Sequence, residues 1–168
     1  MQQDLARRTG LALKTAGWTM ATAESCTGGG IAAAMTDIAG SSEWLDSGFV
    51  TYSNAAKMRL LGVPASVLAE HGAVSEATVR AMAEGVLARS PVNIAVAVSG
   101  IAGPDGGSTD KPVGTVWFAW ARREQGSDAV VTDVARHVLG GDRAAVRAAT
   151  VKTALEGILE RVPGVSQA

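Results

Sequence analysis

The stretch Thr22-Ala23-Glu24-Ser25-Cys26-Thr27-Gly28-Gly29-Gly30 places hydroxyls, a thiol and glycines directly before Ile31-Ala32-Ala33-Ala34-Met35, which is good helix material. Glycine lets a backbone turn sharply and approach a ligand closely. A helix start directs N–H groups and a partial positive charge at whatever sits there. The turn therefore suits a phosphate, or an oxyanion forming beside a nucleophilic Ser25. The plain alternative is a small-residue turn that packs a helix closely on a sheet. With only His71 and His137 in the chain, a Ser-His-Asp triad is poorly supported, and each histidine reads as a surface or capping residue. A lysine can replace the histidine as base, provided its pKa falls towards neutrality. Lys57 is the candidate, on the first turn after a second strand and at the same rim as Ser25; its alternative is a solvated helix charge. Tyr52 is either a proton relay or ligand-orienting group, or an ordinary strand aromatic. Cys26 is a rival nucleophile, or a small buried residue.

A second Gly-rich loop, Ser99-Gly100-Ile101-Ala102-Gly103-Pro104-Asp105-Gly106-Gly107, follows an apolar run. It is no Walker motif, because no Lys-Ser or Lys-Thr follows the glycines. It can still form a nest of N–H groups for an anion, with Lys111 close by. Arg143 is a further phosphate or carboxylate partner, a task that guanidinium geometry favours. One cysteine excludes an internal disulfide framework, and so few histidines leave no credible metal site. No cofactor is expected.

The elements that must position these residues follow from periodicity. Asp4 to Ala16 reads as a helix, closed by Gly17. The first strand, Trp18 to Ala23, leads into the Ser25 turn. Phe49 to Tyr52 is a second strand by its β-branched and aromatic content, and Ser53-Asn54 caps the helix that carries Lys57. Pro64 to Glu70 is a short helix. From Ser75, Val79, Met82, Ala83, Val86 and Leu87 repeat along one helical face. Ile94 to Val98 is apolar at every position, as in a strand buried on both faces of a parallel sheet. Gly114 to Ala121 and Val130 to Val138 form an antiparallel hairpin. Gly141-Asp142 opens a last helix that buries Val151, Leu155, Ile158, Leu159 and Val162. Val165 to Ala168 reads as a frayed tail.

There is no internal repeat and no linker, so residues 1–168 are expected to form one domain. It should be a three-layer α/β/α sandwich with a mixed, mostly parallel sheet of about five strands. Ligands in such sheets collect at the carboxyl ends of parallel strands, where the loops after Ala23, Tyr52 and Val98 converge. The net charge of -1 gives no pull towards nucleic acid, no apolar run is long enough for a membrane span, and a cytoplasmic location is expected. A homo-oligomer is also expected. Exposed tryptophans on the hairpin would mark its interface; the other reading puts them in the core.

Taken together, Thr22 to Gly29, Gly48-Phe49-Val50-Thr51-Tyr52-Ser53-Asn54 with Lys57, His71-Gly72-Ala73-Val74-Ser75, Ser99 to Gly107, Lys111 to Val116 and Gly141-Asp142-Arg143 form one pattern. The chain resembles the C-terminal domain of the competence/damage-inducible protein A family, the nicotinamide mononucleotide deamidases, from Leu5 to Leu159. Many relatives carry an N-terminal molybdopterin-binding-like domain; this chain looks like the stand-alone form. The resemblance implies hydrolysis of the carboxamide of nicotinamide mononucleotide to nicotinate mononucleotide and ammonia, in pyridine nucleotide recycling. It implies Ser25 as nucleophile, Lys57 as base and Tyr52 in support of the proton relay. Backbone N–H groups around Cys26, Thr27 and Gly28 would hold the oxyanion, with Gly29 among the substrate-binding residues. The phosphate would lie against the loop of Ser99, Gly100, Ile101, Ala102, Gly103, Gly106 and Gly107, or against Arg143. The competing class is a non-catalytic nucleotide-binding module in competence or DNA-damage response.

Overall fold

The computed structural model of the protein describes residues 1–165. Of the tail expected at Val165 to Ala168, the last three residues lie outside the described ones. The elements run in the order α1 (Gln2–Ala16), β1 (Met20–Glu24), α2 (Gly30–Thr36), β2 (Leu45–Val50), α3 (Asn54–Leu61) and α4 (Ala65–His71). They continue with α5 (Glu76–Leu87), β3 (Ile94–Gly100), β4 (Thr115–Arg123), β5 (Val130–Val138) and α6 (Arg143–Arg161). The five strands form one sheet in the order β2-β1-β3-β4-β5. The β1·β2 and β1·β3 pairs are parallel, whereas β3·β4 and β4·β5 are antiparallel. Four strands thus share one direction and β4 runs against them.

Helices cover both faces, as the alternating pattern requires. One core joins α1, α2 and α6 to the side chains of Met20, Ile94, Val96, Val98, Phe118 and Trp120. The other joins α3, α4 and α5 to Ala21, Ala23, Ala95, Ala97, Ala119 and Ala121. The alternation of large and small residues along β1, β3 and β4 sets how near each helical layer approaches. On the alanine face α5 lies close, and the face read from its sequence, Val79, Met82, Ala83, Val86 and Leu87, is buried throughout. On the other face Trp120 donates its indole N–H to the Ala154 carbonyl at 3.0 Å and packs where a side chain at Gly157 would stand. Trp120 is therefore core, and Trp117 is half-buried. The tryptophans of the hairpin do not form an exposed patch.

The second strand is displaced from its expectation. It spans Leu45–Val50, and Thr51 and Tyr52 lie beyond its end. Asp46, Ser47 and Gly48 are poor strand formers, but β2 is an edge strand with alternating half-buried and exposed residues. There the pairing with β1, from Met20↔Leu45 to Glu24↔Val50, decides. In the hairpin β5 has the expected limits, whereas β4 runs from Thr115 to Arg123, two residues past the expected Ala121, because Arg122 and Arg123 still pair with Val131 and Val130. Asp142 caps α6 by accepting from Ala145 N at 2.9 Å.

Candidate active site

Ser25 follows the last residue of the fully buried β1 and is held by both neighbouring strands. Its N–H donates to the Val98 carbonyl of β3 at 3.2 Å, and the Glu24 carbonyl accepts from Thr51 N, just past β2, at 2.9 Å. The nucleophile candidate is thereby fixed at the carboxyl edge of the sheet, where a crevice is expected. The chain then turns through Gly28 (φ 59°) and Gly29 (φ 99°), conformations that side chains disfavour, into α2.

Lys57 comes from the adjacent crossover. Ser53 caps α3, its Oγ accepting from Ala56 N at 3.0 Å. Lys57 and Leu61, one helical turn apart, face inward, while Met58 and Leu60 face out. Side chains on a helix lean towards its N-terminus, which brings the Lys57 amine back over the segment that enters α3. The Lys57 side chain is 1% exposed. Its Nζ lies 3.0 Å from Ser25 Oγ, 2.8 Å from the Thr51 carbonyl and 3.1 Å from the Tyr52 carbonyl. Burial pulls its pKa below the usual 10.5, while the Cys26 sulfur acts in the opposite sense. The solvated-charge alternative is thus excluded. No neighbouring cation contributes to the shift; burial does it.

Cys26 is 6% exposed and belongs to the core beneath α1, α2 and α6. Burial pushes its thiol up to about 11. Since the thiolate is the nucleophilic form, Cys26 is a poor rival to Ser25. Tyr52 is 64% exposed. It meets Lys57 through its carbonyl, and its phenol stands 3.4 Å from Arg143 Nη2. The phenol makes no hydrogen bond to Lys57 or Ser25 in this structure; its partner is Arg143. Arg143, at the start of α6, donates through Nη1 to the Gly103 carbonyl at 2.8 Å, tying α6 to the loop after β3.

Ser25, Cys26, Lys57, Tyr52 and Arg143 line one cavity of about 200 Å³. Ser99, Gly100 and Ala102 of the second Gly-rich loop line it too, as do Ala73 and Val74. Those last two were visible in sequence only as part of the His71 to Ser75 segment, with no role attached. Other expected residues add no side chain to the cavity wall. Thr27 is buried and spends its hydroxyl on Glu24, Gly103 acts through its carbonyl on Arg143, and Ile101, Gly106 and Gly107 are not part of the wall. Lys111 turns to the His71 carbonyl, at 3.2 Å. His71 and His137 are both away from Ser25: one ends α4 and the other packs edge-on against Phe118.

Two residues that sequence reading left without a role shape the Ser25 loop. Glu24 is fully buried. Its carboxylate accepts from Thr22 Oγ1 (3.1 Å), Thr27 Oγ1 (2.6 Å), Ile31 N (2.8 Å) and Ala32 N (3.0 Å). The first N–H groups of α2, expected to meet a ligand, are therefore taken by the chain itself. Arg147 of α6 donates to the carbonyls of Cys26 (Nε, 3.1 Å) and Thr27 (Nη2, 3.2 Å). The N–H of Gly28 is also engaged, by the Ser25 carbonyl at 3.1 Å. Among the described residues, no acceptor is recorded for the N–H groups of Cys26 and Thr27.

Among the described residues, no group of three or more His, Cys, Asp and Glu could hold a metal ion. None of the described helices is long and apolar enough to cross a membrane. The chain is 59% identical over 144 residues to a protein of Enterobacter agglomerans called nicotinamide-nucleotide amidohydrolase PncC, covering 86% of this chain and 85% of that one. The Escherichia coli K12 protein of the same name is 51% identical over 158 residues, 94% of this chain and 92% of that one. A crystal structure of a competence-damaged protein (CinA) superfamily protein from Klebsiella pneumoniae superposes with a TM-score of 0.88 at 42% identity, over 96% of this chain and 98% of the other. A family model described as the CinA C-terminal domain matches residues 2–162, and the chain belongs to that family.

Proposed function

We propose that this protein hydrolyses the carboxamide of nicotinamide mononucleotide, giving nicotinate mononucleotide and ammonia, through a covalent Ser25–Lys57 mechanism that serves pyridine nucleotide recycling. The names of the relatives support the substrate class. The observation that carries the mechanism is the buried Lys57 amine, 3.0 Å from Ser25 Oγ and within reach of two carbonyls. A neutral amine has two N–H donors and one lone pair. If the N–H groups go to the Thr51 and Tyr52 carbonyls, the lone pair faces the Ser25 hydroxyl. Once protonated, the ammonium gives its third N–H to the same oxygen. Both states are hydrogen-bonded, so the proton can shuttle without a rearrangement.

In this reading Ser25 Oγ attacks the amide carbon while Lys57 takes the serine proton. The carbonyl π electrons move to oxygen, and the N–H groups of Cys26 and Thr27 stabilise that oxyanion. When the tetrahedral intermediate collapses, the C–N bond breaks and Lys57 returns the proton to the departing nitrogen, which leaves as ammonia. Neutral Lys57 then takes a proton from water, which attacks the acyl-enzyme; nicotinate mononucleotide is released and Lys57 returns the proton to Ser25. The pyridinium of the substrate withdraws electrons from the carboxamide and favours attack. A cavity of about 200 Å³ is smaller than the usual range for whole ligands, ~300 Å³ and above. It suits the nicotinamide ring, with ribose and phosphate at the mouth beside Tyr52 and Arg143.

Incubation with nicotinamide mononucleotide should release ammonia, with the rate unchanged by EDTA. Ser25→Ala should abolish release and Cys26→Ala should keep most of it. Arg143→Ala should raise KM for the mononucleotide by roughly tenfold, as loss of a charged hydrogen bond does, with a much smaller effect on nicotinamide riboside. A wild-type protein that frees no ammonia, or an active Ser25→Ala, would overturn the reading.

A further inference from the structure

We propose that Arg147 is a positioning residue for the oxyanion site: it holds the Cys26–Thr27 peptide so that the Thr27 N–H faces the reacting carbonyl. The inference rests on the amidase reading of Ser25 and concerns a residue to which that reading assigns nothing.

In a planar trans peptide the C=O of one residue and the N–H of the next point in opposite directions. Whatever fixes the Cys26 carbonyl therefore fixes the Thr27 N–H. Arg147 Nε donates to that carbonyl at 3.1 Å, and its Nη2 donates to the Thr27 carbonyl at 3.2 Å. The Thr27 carbonyl is shared with Gly30 N at 3.1 Å, one donor for each lone pair. The preceding peptide is fixed from within the loop, because Gly28 N donates to the Ser25 carbonyl and so aims the Cys26 N–H. Two successive N–H groups are thus held by two independent anchors, and neither has an acceptor among the described residues.

The two anchors differ in kind. The inner one is a neutral turn. The outer one is a guanidinium reaching from α6, some 120 residues along the chain. A cation on a carbonyl oxygen polarises the amide and strengthens its N–H as a donor, and a rigid fork on two carbonyls leaves little freedom to rotate the peptide. Both effects act most when negative charge develops at the oxyanion, so Arg147 is expected to stabilise the transition state more than bound substrate.

The test compares Arg147→Ala and Arg147→Lys with the wild-type enzyme. Arg147→Ala should lower kcat by roughly 10- to 100-fold, somewhat less than outright deletion of an oxyanion donor, with KM for nicotinamide mononucleotide moving less than about threefold. Arg147→Lys, whose ammonium can serve one carbonyl at a time, should fall between. The pH dependence of kcat/KM should be unshifted, since Lys57 is untouched. A second arm needs no natural substrate. With an alkyl fluorophosphonate, Ser25 Oγ forms a bond to phosphorus, the P–F bond breaks, fluoride leaves and the serine proton passes to Lys57. The rate of Ser25 labelling, read by intact mass, should fall in Arg147→Ala by a similar factor. If the wild-type protein is labelled but frees no ammonia, the substrate reading fails while the labelling ratio still decides the role of Arg147. Unchanged kcat and unchanged labelling would overturn the proposal. So would a rise in KM confined to the mononucleotide and absent for the riboside, which would make Arg147 a phosphate ligand. Should Arg147→Ala melt far below the wild type, Arg147→Lys carries the same comparison.

Discussion

Lys57 can act as a base only while neutral, which fixes the sign of its pH dependence. Burial disfavours the charged form of a lysine and lowers its pKa from 10.5. The rate kcat/KM should therefore rise with pH, through an apparent pKa below that value, as the neutral fraction grows. The bound pyridinium adds a like charge near the amine and should lower the pKa further. The profile of kcat, which reports the enzyme–substrate complex, should then turn at a lower pH than that of kcat/KM. Parallel profiles would argue against a substrate cation beside Lys57. Lys57→Arg keeps the charge but cannot release its proton and should be inactive at every pH; near-normal turnover would move the base elsewhere. Spacing brought Ser25 and Lys57 to one rim but left Lys57 open between a base and a solvated charge; the family resemblance chose the base. The burial of Lys57 also had a signal, the Leu61 spacing one turn on. The part of Tyr52 that faces the site had none, since spacing places a residue but not which of its atoms makes the contact.

At the scale of elements, the turn between β1 and α2 is organised by Glu24. An acidic residue beside a Gly-rich turn reads as loop charge, and only its four donors, three of them within the next eight residues, reveal a buried structural role. Glu24→Gln preserves the shape but turns an amide NH₂ towards groups that are themselves donors. Leaving a buried donor unmatched costs about 1–3 kcal/mol, a fall in Tm of roughly 2–10 °C for a chain of this size, to be read by thermal scan. An unchanged Tm would mean the carboxylate is dispensable. Arg147 was illegible for another reason: its partners are carbonyls, which carry no side-chain signature. β2 was misplaced by searching for β-branched residues, whereas an edge strand takes its limits from its neighbour. The strands β3, β4 and β5 and the helix α5 were legible because their patterns repeat over several residues.

For the molecule as a whole, a buried lysine links catalysis to stability. Unfolded, Lys57 binds a proton up to its ordinary pKa of 10.5; folded, it gives the proton up sooner. Between those two values the unfolded state holds more protons, so stability contributed by this group increases with pH. Below the folded pKa the protein carries the cost of a buried ammonium, and above 10.5 that cost is gone. Tm measured against pH should therefore climb more steeply for the wild type than for Lys57→Met, which has no proton to exchange. Identical slopes would mean that the amine is solvated in the native state. The architecture around this group was predictable from alternation, with two cores on opposite faces of one sheet. The displacement of α2's free N–H groups from the ligand was not, because it depends on the conformation of a single side chain.

The occupation of the α2 start by Glu24 sets how the enzyme meets the small anions around it. In many α/β proteins that position is open, and inorganic phosphate, sulfate or chloride can lodge there in place of the substrate. Here a tethered carboxylate holds it permanently, and dissolved anions face a competitor that never diffuses away. On the proposed function, attraction for the substrate's phosphate would fall to Arg143, which lines the same cavity and is tied to the Gly103 carbonyl. Product inhibition by the nucleotide and tolerance of background phosphate would then be properties of one exchangeable side chain on α6, adjustable without disturbing the proposed Ser25–Lys57 pair.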